Sequence, residues 1–192
     1  EIIDCIGMGN HEASVEKYHS TDIVMLLIEK LQATLPAGSK HVIHYGGKLG
    51  FVQYKFRHRA GGNVRTIDLF YFHGAGGSAP VTKGMIDFNR TNQYVEADII
   101  WLGHKHNRFI DTTPQRVRCP RDGDQPIVKP MIHVMTGGYR RGVIAQDQES
   151  MRRYGRQANY GTDMGLAPQG TGGARLLITI KGDGEQEIQA IQ

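Results

Sequence analysis

Three short stretches carry the side chains from which chemistry could be built. Gly9-Asn10-His11-Glu12 sets an amide, an imidazole and a carboxylate directly after an apolar run. Phe72-His73-Gly74 ends a second apolar run in a histidine, and Gly103-His104-Lys105-His106 follows a third. Imidazole nitrogens and an amide oxygen are ligands for divalent cations, and a mixed N/O set suits Mn, Fe or Zn better than Ca or Mg. Cations paired about 3.5–4 Å apart polarise a phosphoryl group and activate water for in-line attack. Each stretch also has a plainer reading. Asn10 and His11 stabilise a turn, His73 is a hydrogen-bonded core histidine, and His104 and His106 are a chance pair in a basic loop. In an extended segment residues i and i+2 point the same way, so His104 and His106 reach one site; in a sharp turn they reach two adjacent ones.

The elements that must position these residues follow from patterning. Ile2 to Ile6 reads as a buried strand, and Gly7 to Glu12 as the turn after it. A helix capped near Ser20 or Thr21 carries the apolar residues Ile23 to Leu31 and stops at Pro36. His41 to Tyr45 is a strand. Val52, Tyr54 and Phe56 alternate with polar neighbours, which marks a half-buried strand over 49–59. Ala60-Gly61-Gly62-Asn63 turns it into a partner strand, Val64 to Phe72. A flexible loop over 75–80, a helix over 83–95 and an apolar strand from Ala97 to Leu102 come next. Strands over 107–118 and 127–136 follow, then a loop-rich stretch over 139–172 with a short helix at Ser150–Tyr154. Arg175–Lys181 and Glu185–Ile191 close the chain as two strands around Gly182-Asp183-Gly184. The class is α/β. All three polar clusters lie at strand C-termini, the edge where open α/β sheets hold their sites.

Composition narrows the function classes. The 192 residues are 22% charged and 39% hydrophobic, a globular profile. No apolar run approaches the ~18 residues that a membrane span needs, so no membrane partner is expected. Net charge is +4, a mild bias toward anionic ligands. Cys5 and Cys119 are the two cysteines, too few for a disulfide framework, which points to a reducing, cytoplasmic compartment. The chain opens on Glu1 and runs straight into an apolar strand, so a single domain over 1–192, truncated at its N-terminus, is expected.

The order Gly-Asn-His-Glu, apolar strand-His-Gly, apolar strand-Gly-His-x-His resembles the calcineurin-like metallophosphoesterases over residues 2–106. The resemblance implies a four-layer α-β-β-α sandwich, here partial, with its N-terminal strand block missing, and a two-metal site at one edge. It implies that Asn10, His73 and His104 hold one divalent cation (Mn, Fe or Zn) and that His106 holds the other. His11 lies near the scissile phosphate, stabilising charge or protonating the leaving oxygen. The family's Asp-x-His and Gly-Asp motifs, which supply two carboxylates, have no counterpart here; Asp4 is too close to Asn10 to serve. Neutral ligands balance two dications poorly, so partial occupancy at most and impaired activity are expected of this chain alone. The implied substrate is a phosphoester: a phosphodiester, nucleic acid among them, or a phosphomonoester.

Other residues carry weaker expectations. Arg140 and Arg141 are candidate phosphate contacts, and Arg152, Arg153 and Arg156 with Tyr154 and Tyr160 a candidate nucleic-acid surface. Glu12 braces the turn or a ligand, and Lys105 faces substrate or solvent. Met8, Met25 and Met85 are core filler, while His19, His41, His44, His58 and His133 are structural or surface residues. Two competing readings stay open: a non-catalytic binding module on the same fold, and a single-metal hydrolase using His73, His104 and His106.

Overall fold

A computed structural model describes residues 2–57, 64–76, 82, 84–118, 125–138, 172–180 and 186–191. The class is mixed α/β. In chain order the described elements are β1 (Cys5–Gly7), α1 (Asn10–His19), α2 (Ile23–Ala33), β2 (His44–Gly47), β3 (Leu49–Phe56), β4 (Arg65–Phe72), α3 (Met85–Thr91) and β5 (Ile99–Leu102). They continue with β6 (Phe109–Asp111), β7 (Gln115–Arg118), β8 (Ile127–Pro130), β9 (Ile132–Met135), β10 (Arg175–Ile180) and β11 (Gln186–Ile191).

A five-stranded sheet in the order β3-β4-β5-β9-β6 is the centre. Its inner strands run parallel: β4 on β5 with Phe72 opposite Leu102, and β5 on β9 with Leu102 opposite Met135. Edge strands β3 and β6 are antiparallel to their neighbours. The central strand β5 reads as a continuous apolar run because both faces are covered. On one face Phe88 of α3 is fully buried among Phe70, Ile100, Leu102 and Met135. The other face presents Ile67, Leu69, Ile99, Ile132 and Val134. There Leu176, Ile178, Ile188 and Ala190 of the antiparallel β10–β11 pair pack against it.

The parallel pair β1–β2 meets that second face through Tyr71. The Tyr71 hydroxyl donates to the Gly46 carbonyl at 2.6 Å, with the Cys5 thiol 3.9 Å away. Burial pushes the phenol up to about 12, so this bond keeps its proton through any physiological pH. Helices α1 and α2 contribute Ala13, Val24, Ile28 and Leu31 to a third cluster with Met8, Ile6 and Ile43.

Helix α2 starts where Asp22, not Ser20 or Thr21, accepts from the Val24 and Met25 amides at 3.0 and 2.9 Å. It buries Val24 and Ile28 and leaves Met25, Leu26 and Leu27 exposed. Of the three methionines expected as core filler, Met8 is buried, whereas Met25 and Met85 are exposed, each on the outer side of its helix. Among the described residues no helix is long and apolar enough to cross a membrane.

The largest correction concerns the first motif. Residues 10–12 are not a turn; they open α1. Gly9 is the N-cap, and its amide donates to the Glu12 carboxylate at 3.1 Å. This is half of a capping box, since glycine has no side chain to return the bond. The helix buries none of its residues fully, so the apolar periodicity that would have announced it is absent. The expected strand over 127–136 is broken at Met131 into β8 and β9, and the one over 107–118 into β6 and β7.

Candidate metal centre

The parallel register of β4 and β5 decides where the histidines go. Phe72 and Leu102 are paired, so His73 and the Gly103-His104 step leave the sheet side by side at its C-terminal edge. The Gly103 amide donates to the Phe72 carbonyl at 3.2 Å and the His73 amide to the Lys48 carbonyl at 2.8 Å, which fixes both departures. Gly74 permits the close approach: its φ is +92°, and a Cβ there would stand 3.1 Å from the Gly103 oxygen and 3.2 Å from His104 Cβ.

Helix α1 brings the third group. Asn10 is its first residue, and Asn10 Oδ1 lies 2.9 Å from His73 Nε2. His104 Nδ1 lies 3.1 Å from the same nitrogen, with the two rings edge-on at 71°. The first turn of α1 presses on His73 from the other side: a Cβ on Gly9 would stand 3.0 Å from His73 Cε1. Residues 10, 73 and 104, far apart in the chain, thus meet at one point.

The electrostatics of that point favour neutral imidazole. Burial holds His73 below its usual range, and His104 pushes the same way. Glu12 opposes them, while Lys48 and His106 add to the lowering. At neutral pH His73 therefore offers a lone pair. A neutral imidazole carries one N–H, so His73 Nε2 either donates or accepts. If it donates, one proton is shared between Asn10 Oδ1 and His104 Nδ1. If it accepts from His104, a lone pair faces the Asn10 oxygen.

The observed 2.9 and 3.1 Å are hydrogen-bond separations, and an amide oxygen with two imidazoles has the donor chemistry that suits Mn, Fe or Zn. Among the described residues no three His, Cys, Asp or Glu side chains gather into a metal-holding group, so His73 and His104 have neither a carboxylate nor a third imidazole with them.

His106 does not join the trio. The loop after β5 is not extended: the Lys105 amide bonds back to the Gly103 carbonyl at 2.8 Å, and His104 and His106 have φ of +69° and +57°. The same-side rule for i and i+2 fails in such a turn. The His106 ring lies against Gly138, after β9, where an added Cβ would meet its Cγ at 3.1 Å. His11 stands beside Asn10 in the first turn of α1, exposed.

Lys105 is not open to solvent. It is 12% exposed and pairs with Asp87 in the first turn of α3, a partner that no local sequence signal announces across 18 positions. Lys48, which acts on His73 from the β2–β3 junction, also escapes sequence reasoning because nothing in its own neighbourhood marks it. His133 is structural, as expected: it is buried, stacked on Phe88 at 4.6 Å, with Nε2 3.2 Å from Asn92 Nδ2. Arg140, Arg141, the 152–160 basic–aromatic stretch, His58 and the short helix at 150–154 lie outside the described residues.

No protein-family model, no curated protein and no solved structure matches the chain.

Proposed function

We propose that this chain is a metal-dependent phosphoester hydrolase of the calcineurin-like kind. The observation that carries the reading is the meeting of Asn10 Oδ1 and His104 Nδ1 on a single nitrogen of His73, at the C-terminal edge of two parallel strands. Asn10, His73 and His104 would hold one divalent cation, and His106 would hold a second. When bound, such a pair supplies Lewis acidity toward a phosphoryl group. His73 contributes a lone pair because burial keeps it neutral, and Glu12 limits how far that lowering goes. His11, beside Asn10, donates a proton to the leaving oxygen. The substrate is a phosphodiester, nucleic acid included, or a phosphomonoester, and the net charge of +4 favours such an anion.

The four-layer α-β-β-α sandwich belongs to the same reading. Its support is the packing of α3 on one face of the central sheet and of β10–β11 and β1–β2 on the other. Helices α1 and α2 then lie against β1–β2. The alternative site of His73, His104 and His106 around one metal is less well supported, because it leaves the Asn10–His73 contact without a purpose.

Mn²⁺ titration by calorimetry, paired with hydrolysis of bis-p-nitrophenyl phosphate, tests the proposal. Since the donors are neutral, binding should be weak and turnover low. His73→Ala should weaken binding at least tenfold, while His11→Ala should spare binding and lower turnover. No binding at millimolar Mn²⁺ or Zn²⁺ would leave a non-catalytic module as the better account.

A further inference from the structure

The loop carrying His104 and His106 holds two non-glycine residues in left-handed backbone on either side of Lys105. Its first step is a three-residue turn closed by the Lys105 amide on the Gly103 carbonyl, with His104 at its centre. That is the rare positive-φ form of the γ-turn, which persists only when its surroundings enforce it. The residue between the two strained histidines is therefore the natural place for an anchor.

Lys105 is built as one. Its side chain is 12% exposed, and its ammonium pairs with Asp87, itself 25% exposed. Its stem passes over Gly84, the N-cap of α3, where an added Cβ would lie 3.6 Å from Lys105 Cδ. Asp87 precedes Phe88, which is fully buried in the core beneath α3. The carboxylate is thus fixed to the sheet through its neighbour, and the pair is shielded from solvent more than a surface pair would be. The loop is tied to the sheet by the Gly103 amide, and to the α3 layer by Lys105.

We propose that the Lys105–Asp87 ion pair holds His104 and His106 in their left-handed conformations, which makes Lys105 and Asp87 positioning residues of the imidazole site. Neither touches a reacting group. Their effect on a cation rests on the hydrolase reading above, whereas their effect on the imidazole rings does not.

Long-range ¹H–¹⁵N NMR of the histidine rings in the metal-free chain, with Mn²⁺ calorimetry alongside, tests this. Lys105→Met should shift or broaden the His104 and His73 ring signals while leaving those of His41 and His44 in place. It should also weaken Mn²⁺ binding about tenfold. Asp87→Asn, a milder change, should do the same to a lesser degree, and the exchanged pair Lys105→Asp with Asp87→Lys should restore both readouts. If the wild-type chain binds no cation but Lys105→Met still moves the His104 ring, positioning stands and the hydrolase reading falls. Unchanged His104 and His73 signals, with Mn²⁺ affinity within twofold and only thermal stability lowered, would overturn the proposal by reducing the pair to a structural tie.

Discussion

His73 is where the sequence's chemistry becomes geometry. One ring nitrogen faces an amide oxygen and a second imidazole, and each of those partners arrives from a different element. The contacts survive because a glycine lets two loops touch. Gly74 combines a φ of +92° with a backbone oxygen 3.1 Å from where a Cβ would stand. Gly74→Ala should therefore destabilise the fold by about 1–3 kcal/mol, measured by urea unfolding, and should separate the His73 and His104 rings. His104 and His106, both at positive φ, add about 1 kcal/mol of strain each. Reading them as residues on one extended face fails for the same reason. The Gly103-His104-Lys105-His106 motif was visible in the sequence, but the hydrogen bond that turns it back on itself was not.

At the scale of elements, apolar patterning served well where packing dominates. The pairing of β3 with β4, the apolar strand β5 and the antiparallel closing pair were legible because alternation or continuous apolarity reports burial directly. Helix α1 was not, since it buries nothing fully and its start relies on a glycine cap and Glu12. That one miss matters most, because α1 is what carries Asn10 to His73. The apolar run Ile23 to Leu31 marks helix α2, but Ser20 and Thr21 compete with Asp22 as its cap in the sequence. Asp22 accepts two amide bonds there, so Asp22→Ala should cost about 1 kcal/mol. A thermal melt checks this, and a melting point unchanged within error would count against Asp22 as the cap. The Lys105–Asp87 tie was illegible for a different reason: an ion pair between a loop and a helix 18 residues earlier leaves no trace in local pattern.

The whole molecule should respond to pH through its buried histidines. Burial lowers His133, with Asp111 across the β6–β9 ladder opposing the shift, and burial also lowers His73. Both folded-state values lie below the unfolded value of about 6.5. As pH falls below about 6.5 the unfolded chain takes up protons that the folded chain refuses, so stability declines with acid. Above about pH 7 neither state is protonated at these rings and their contribution is flat. Urea unfolding at pH 5.5 and pH 7.5 should show this loss, and His133→Gln should reduce the difference without removing it, because His73 still contributes. Equal stabilities at both pH values would contradict the assignment of His133 as a neutral core residue. Cation binding should weaken over the same range, since a protonated His73 has no lone pair to give.

The central claim is that Asn10, His73 and His104 form one cation site at the edge of the sheet. Anomalous scattering from a crystal soaked in MnCl₂ tests it most directly. The account predicts a peak bonded to Asn10 Oδ1, His73 Nε2 and His104 Nδ1 together. A fully ordered site with no peak, or a peak held by other side chains while the three atoms keep their mutual contacts, would contradict it.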